Sequence, residues 1–133
     1  MDLDAVHAML AKSYWSARIR REVVERALAN SLVVGAFALD DRGARTQVGV
    51  ARAVTDFATF AWLCDVYVEE AHRGRGLSKR MIEMLFDSPE LRTLRRWCLA
   101  TRDAHGLYER YGFVPVEAGR WIERKNPASA WQE

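Results

Sequence analysis

The sequence predicts an α/β protein in which one mixed β-sheet packs against helices. Apolar residues recur at helical spacing within the first 29 residues, at strand-like spacing between residues 31 and 68, and at helical spacing again after residue 77. Of the 133 residues, 50% are hydrophobic, so a core can form without metal or disulfide support. We therefore expect a single domain over residues 1–133.

Two helices are predicted ahead of the sheet. Between Leu3 and Leu10 the apolar residues lie three and four positions apart, and either Asp2 or Asp4 can cap the start of this helix. A second helix is predicted over residues 16–29, because the apolar residues there form one stripe.

Three strands follow, predicted over residues 31–39, 47–55 and 59–68. The first two form a hairpin, because the sequence Asp-Asp-Arg-Gly at 40–43 is typical of a turn. The third strand is apolar almost throughout, which is expected where both faces of a sheet are covered.

The remaining elements alternate. A helix begins at Leu77 and is ended by Ser88-Pro89, and a short buried strand is predicted over 96–100. A helix over 104–111 is stopped by Gly112.

Two short strands, at 113–116 and 120–124, are predicted to close the sheet around a turn at 117–119. Residues 126–133 are predicted to form a frayed tail.

Composition excludes several classes of protein. The 20 Lys and Arg residues nearly balance the 18 Asp and Glu residues, and a net charge of +2 does not favour a nucleic-acid-binding protein. Cys64 and Cys98 lie in apolar runs and are interpreted as buried thiols of a cytoplasmic protein. The three histidines are far apart in the sequence, so no metal site is expected. No signal-peptide pattern and no apolar run of about 20 residues is present, so no membrane association is expected.

The most informative segment is Arg73-Gly74-Arg75-Gly76-Leu77-Ser78, which follows a predicted strand and opens a predicted helix. Its glycines allow the backbone to approach a ligand closely, and the first amides of a helix have no intrahelical acceptor. A diphosphate suits such a helix N-terminus. Helix capping alone is the alternative interpretation, and the segment lacks the Gly-Lys-Ser/Thr ending of a Walker loop.

This segment resembles the Arg/Gln-x-x-Gly-x-Gly/Ala pyrophosphate turn of the GNAT superfamily of N-acetyltransferases, with Ser78 in place of Gly or Ala. A second segment, Ala104-His105-Gly106-Leu107-Tyr108-Glu109-Arg110-Tyr111-Gly112-Phe113, resembles the Ala-x-x-x-Tyr-x-x-x-Gly-Phe helix of that family. The resemblance covers roughly residues 60 to 116. It implies a central, mostly antiparallel sheet with splayed central strands and helices on both faces. The chain departs from the family at its start, where a strand usually precedes the first helix.

The resemblance also implies acetyl-coenzyme A (acetyl-CoA) as co-substrate, without a metal. The pantetheine arm would lie between the strands at 62–68 and 96–100, and a backbone amide near 66–68 would polarise the acetyl oxygen. Thr101 stands where many family members have an Asn that contacts pantetheine. The residues implied in cofactor binding are Val66, Tyr67, Val68, Arg73, Gly74, Arg75, Gly76, Leu77, Ser78 and Thr101.

Tyr108 matches the family tyrosine that protonates the leaving thiolate; the alternative is a core tyrosine with a satisfied hydroxyl. Asp65 is the candidate base, because it is a carboxylate in an apolar strand, where it has either a structural partner or a chemical role. Glu69, acting through water, and Asp103, otherwise a helix cap, are further candidates. No Cys-His or Ser-His-Asp arrangement is evident, so direct attack on the thioester is expected.

The acceptor pocket is predicted to contain Tyr14, Trp15 and Phe57, because aromatic rings beside a carboxylate suit an amine. Packing is the alternative role of these rings. The sequence therefore predicts an N-acetyltransferase acting on a small-molecule or protein amine, and the alternative is a non-catalytic acetyl-CoA-binding sensor or regulatory module. An exposed edge strand could also support a homodimer.

Overall fold

The structure, a computed structural model that describes residues 1–133, contains a four-stranded sheet with helices packed against it. The elements are α1 (Leu3–Lys12), α2 (Arg21–Ala29), β1 (Leu32–Leu39), β2 (Arg45–Thr55), β3 (Phe60–Val68), α3 (Leu77–Phe86), β4 (Arg96–Cys98) and α4 (His105–Glu109). The strand order is β1-β2-β3-β4, with the first three strands antiparallel and β4 parallel to β3. The prediction of a mixed, mostly antiparallel sheet is confirmed.

Helices cover both faces of this sheet, because side chains alternate between faces along each strand. On one face, α1 and α2 pack on Val50. On the other face, α3 packs on Ala51, Ala53 and Leu63. The largest fully buried side chains come from both layers and include Met9, Val24, Ile82 and Leu85. None of the helices combines the length and apolarity that crossing a membrane requires.

The expected splayed pair is formed by β3 and β4, and these two strands do separate, although β4 is at the edge of the sheet. Strand β4 pairs with β3 only where Arg96–Cys98 lies beside Phe60–Trp62. Strand β3 then continues to Val68 without β4 as a neighbour. One edge of the second half of β3 is therefore left without a strand partner.

A β-bulge lies where β3 leaves β4. Val50 pairs with Tyr67 and Arg52 pairs with Cys64, so the single residue between them on β2 faces two residues on β3. One of those two, Asp65, has the left-handed φ of 52°. Bulges bend a strand and increase its twist, which accounts for the divergence from β4.

The first helix confirms one of the two predicted caps. The side chain of Asp2 accepts a hydrogen bond from the amide of Ala5 at 3.0 Å. Asp4 instead accepts one from Arg21 at 2.8 Å.

The second helix begins at Arg21, and the predicted start at residue 16 is wrong. Arg18 has a left-handed φ of 59°, and Ile19 forms an isolated β-bridge with Gln132. A residue paired in this way cannot also continue a helix. The partner lies at the far end of the chain, so helical periodicity alone could not show it.

The C-terminal region also differs from the prediction. No strand forms at 113–116 or 120–124. The Phe113 ring packs 5.9 Å from that of Tyr108, and Trp121 stacks on Trp62 at 5.6 Å, so aromatic contacts rather than strand pairing place this segment. Pro115 also lacks the N–H that a ladder requires.

The segment predicted to be frayed is hydrogen-bonded to the loop before α2. The amide of Arg20 donates to the Trp131 carbonyl at 3.0 Å, and the amide of Glu133 donates to the Arg18 carbonyl at 3.0 Å.

Candidate active site

A cavity of about 650 Å³ opens beside the free half of β3. It brings together residues that are far apart in sequence: 12–15 at and after the end of α1, 66–68 at the end of β3, 72–74 and 76–78 before and at the start of α3, and 103, 104, 107 and 108 before and within α4. Most of the residues predicted to bind the cofactor therefore lie around one space.

The turn before α3 presents unpaired backbone donors to this cavity. The amides of Gly74, Arg75 and Gly76 donate to no protein acceptor, and no side chain caps α3. Gly74 and Gly76 both have φ of 75°, the left-handed conformation that glycine adopts without strain. With the first amides of α3, these groups form the positive end of the helix dipole. The turn is suited to bind an anion.

The side chain of Arg73 connects this turn to the end of β3 through two contacts. Its Nε donates to the Val68 carbonyl at 2.9 Å, and its guanidinium carbon lies 5.6 Å from the centre of the Tyr67 ring. Arg75 is exposed and does not line the cavity.

Tyr108 also lines this cavity and is half-buried, with its ring against that of Phe113. Its hydroxyl forms no hydrogen bond with the protein, whereas the hydroxyl of Tyr111 donates to Glu83 at 3.2 Å. Burial and, to a lesser extent, the neighbouring Tyr14 raise the pKa of Tyr108 above its ordinary value. The phenol is thus neutral at physiological pH and has a proton to donate.

Comparison with known proteins identifies the family. A family model described as an acetyltransferase (GNAT) domain matches residues 30–115, more than half of the chain. The chain belongs to the GNAT acetyltransferase family. The resemblance predicted from the two sequence segments is confirmed.

Individual relatives agree with this assignment. The crystal structure of a proposed GNAT-family acetyltransferase from Xanthomonas campestris pv. campestris has a TM-score of 0.86 and 43% identity, over 96% of this chain and 87% of that chain. A proposed acetyltransferase of Gibberella zeae is 27% identical over 81% of this chain and 70% of its own length. The crystal structure of a predicted acetyltransferase of Clostridium acetobutylicum with acetyl-CoA shares the fold, with a TM-score of 0.61 and 18% identity, over 94% of this chain and 92% of that chain.

In this GNAT protein, Asp65 lies beside the cavity rather than in its lining. Its Oδ2 accepts from Arg52 Nε at 2.7 Å, and its Oδ1 accepts from Trp15 Nε1 at 3.2 Å. The side chain of Asp65 is only 9% exposed. The sequence left two roles open for this carboxylate, a structural one and a chemical one. The structure contains the partners that the structural role requires.

The other two carboxylates are placed differently. Glu69 pairs with Lys12 at 3.4 Å. Asp103 lines the cavity and forms no ion pair or hydrogen bond, and it does not cap α4 as considered above. The amide of Ala104 is instead bound by Thr101 Oγ1 at 3.0 Å.

Two predicted residues lie outside the cavity. Phe57 is in the β2–β3 loop, at the end of β3 opposite to the turn at 73–78, and does not line this cavity. Thr101 borders a second, mostly apolar cavity of about 410 Å³, which Tyr108 also lines. Tyr14 and Trp15 do line the cavity beside β3.

Sequence reasoning missed other residues of the site. Lys12 and Ser13, at the end of α1, line the cavity, and so does His72, which directly precedes Arg73. Arg102 does not line the cavity itself but stacks over the ring of Tyr14, which does, with its guanidinium carbon 4.0 Å from the ring centre. Of these, only His72 adjoins a recognised motif; the others depend on loop packing that no local pattern encodes.

Proposed function

We propose that this GNAT protein transfers the acetyl group of acetyl-CoA to a primary amine, with Tyr108 as general acid. One observation carries the proposal: unpaired amides at a helix N-terminus and an unpaired tyrosine hydroxyl border the same cavity. The family assignment supports acetyl transfer, and the Clostridium neighbour with acetyl-CoA supports the co-substrate.

The residues of the turn fit a diphosphate. A Cβ built on Gly74 or Gly76 would meet no protein atom within 4 Å, so these backbones are open to a ligand. The amides of Gly74, Arg75, Gly76, Leu77 and Ser78 would bind the diphosphate oxygens, assisted by Arg73. The free edge of β3 at Val66, Tyr67 and Val68 would bind the pantetheine arm. When bound, acetyl-CoA supplies the acetyl group as a thioester.

Tyr108 gives its hydroxyl proton to the sulfur as the C–S bond breaks. The amine nitrogen forms the new bond to the acetyl carbon and releases one proton. We assign that proton to Asp103, because it is the candidate carboxylate that lines the cavity without a partner. An acyl-cysteine route is disfavoured at Cys64, since burial and, less strongly, Asp65 raise the pKa of this thiol to about 12.

The test is a coenzyme A release assay over an amine library, preceded by calorimetric measurement of acetyl-CoA binding. In Tyr108→Phe we expect kcat to fall by about 100-fold or more with nearly constant acetyl-CoA affinity. Tyr111→Phe is the matched control, because its hydroxyl contacts Glu83 on α3 and not the cavity.

Three outcomes would contradict the proposal in different ways. Unchanged turnover in Tyr108→Phe would remove the acid role. Acetyl-CoA binding without turnover of any small-molecule or protein amine would favour a sensor or regulatory module. Absence of acetyl-CoA binding would refute both functions.

A further inference from the structure

A buried polar network connects the sheet to the loop between α1 and α2. Asp65 accepts hydrogen bonds from Arg52 and from the indole of Trp15, and Arg52 Nη1 donates to Ser31 Oγ at 3.0 Å. The Arg52 and Asp65 side chains are 15% and 9% exposed. A buried ion pair is no more stabilising than well-packed apolar residues of similar size. Stabilisation of the fold therefore does not by itself explain why Arg52 and Asp65 occupy these buried positions.

The backbone is arranged to bring the Asp65 carboxylate to this network. Leu63 packs on the α3 face of the sheet, while Tyr67 packs on the face covered by α1 and α2. The bulge reverses the alternation between these two residues and directs Asp65 to the α1–α2 face, beside Arg52. A left-handed φ of 52° on a residue with a side chain is strained, and such strain is concentrated at functional sites.

The indole of Trp15 depends on this carboxylate for its attachment to the sheet. Within residues 13–18, the hydrogen bond from Trp15 to Asp65 is the only one that reaches a strand. The Trp15 ring packs edge-on against Tyr14 at 4.9 Å and against Tyr67 at 6.4 Å. All three aromatic residues line the cavity.

We infer that Asp65 is a positioning residue, which fixes the indole of Trp15 and through it the aromatic wall formed by Tyr14, Trp15 and Tyr67. Arg52 compensates the charge of the carboxylate, and each carboxylate oxygen accepts a hydrogen bond from a side chain of this network, so the carboxylate is fixed beside the cavity and outside its lining. The wall holds the amine acceptor next to Tyr108. This inference rests on the proposed acetyl transfer for its kinetic consequence, but the placement of the indole does not.

The first experiment therefore needs no acceptor. The chain has five tryptophans, and the indole N–H signal that disappears from the ¹H–¹⁵N spectrum of Trp15→Phe is that of Trp15. In Asp65→Asn we expect this signal to shift and to exchange faster with solvent, with the other indole signals in place. In the control Ser31→Ala the Trp15 signal should not shift, because this variant loses only the hydrogen bond from Arg52 to Ser31 and keeps the one from Trp15 to Asp65. An unchanged Trp15 signal in Asp65→Asn would overturn the inference.

The second experiment measures kinetics with the amine that the library assay turns over fastest. Trp15→Phe and Asp65→Asn should each raise KM for the amine about two- to tenfold, the effect of one lost hydrogen bond. The double variant should be no worse than either single one, and the pH profile of kcat should keep its shape.

If Asp65 were the base instead, Asp65→Asn would lose kcat together with the acidic limb of the profile, while Trp15→Phe would keep both. That result would overturn the positioning role. Should Asp65→Asn fail to fold because Arg52 lacks its partner, Trp15→Phe decides alone, since it leaves the ion pair intact: an unchanged KM for the amine would refute the inference. If the wild-type protein turns over no amine, the proposed function fails, and the indole signals still decide whether Asp65 positions Trp15.

Discussion

A turn with a left-handed residue lies before β3, and another such turn lies after it. The two turns differ in whether the protein itself supplies acceptors for their backbone N–H groups. Before β3, the Asp56 carboxylate accepts hydrogen bonds from the amides of Ala58, Thr59 and Phe60 and from the Thr59 hydroxyl. After β3, the amides at 74–76 have no acceptor in the protein.

We call the turn at 56–60, whose N–H groups at 58–60 are satisfied within the protein, the structural turn. We call the turn at 73–78, whose N–H groups at 74–76 are free to bind a ligand, the binding turn. At the first end the chain satisfies its own donors, and the turn has nothing left to offer a ligand. At the second end the donors remain available at a helix N-terminus beside a cavity. An aromatic residue such as Phe57, exposed at the satisfied end, is therefore not evidence of an acceptor pocket.

The largest effect is expected when the binding turn is given a carboxylate of its own. Ser78→Asp places a negative charge in the first turn of α3, which stabilises the helix through its dipole but repels a diphosphate. We expect acetyl-CoA affinity to fall by about 2 kcal/mol, roughly thirtyfold, with the melting temperature unchanged or raised. Calorimetry and thermal unfolding measure the two quantities.

Ser78→Asn is the matched control for this variant, since it adds similar bulk without charge. Equal losses of affinity in both variants would mean that space, and not charge, limits binding. Unchanged affinity in Ser78→Asp would mean that the anion does not bind at this turn.

A smaller effect is expected when the backbone approach is obstructed. Gly76→Ala and Gly43→Ala both force a left-handed Ala, at φ of 75° and 80°, and in neither would the new Cβ meet a protein atom within 4 Å. Each should lose about 1–2 kcal/mol of unfolding free energy. Only Gly76→Ala should also weaken acetyl-CoA binding, by about tenfold, because a methyl group there would meet the diphosphate. A similar loss of affinity in Gly43→Ala would indicate a general effect of stability.

The features that the sequence predicts correctly are those encoded locally. The glycine pattern of the turn at 73–78 and the strand before it concern neighbouring residues, so they are readable from a short window. The amphipathic stripe of α3 is readable for the same reason. These local patterns were sufficient to predict a glycine turn that opens a helix, and most residues of this turn line the cavity.

The features that it misses depend on distant partners. The start of α2 is set by the pairing of Ile19 with Gln132, at the other end of the chain. The role of Asp65 depends on Arg52 across the sheet and on Trp15 in a separate loop. No periodicity or motif around Asp65 could indicate which of these groups would reach it.

The smallest effect is expected at the structural turn, and it depends on pH. The side-chain hydrogen bond from Thr59 and the backbone hydrogen bonds from Thr59, Ala58 and Phe60 hold the pKa of the Asp56 carboxyl well below its usual range. The ionised form is thus favoured by folding. Its contribution to stability is fully present above the unfolded pKa of about 3.9 and is lost as the pH falls below that value.

Asp56→Asn should therefore lower the melting temperature slightly at pH 7, and the difference from the wild type should narrow between pH 4 and pH 2. Acetyl-CoA affinity at pH 7 should stay constant, because this turn is at the opposite end of β3 from the cavity. Thermal unfolding monitored by circular dichroism measures the melting temperature at each pH, and calorimetry at pH 7 measures the acetyl-CoA affinity. A loss of affinity in Asp56→Asn would contradict the separation of the two turns, because it would show that the satisfied end of β3 also contributes to binding.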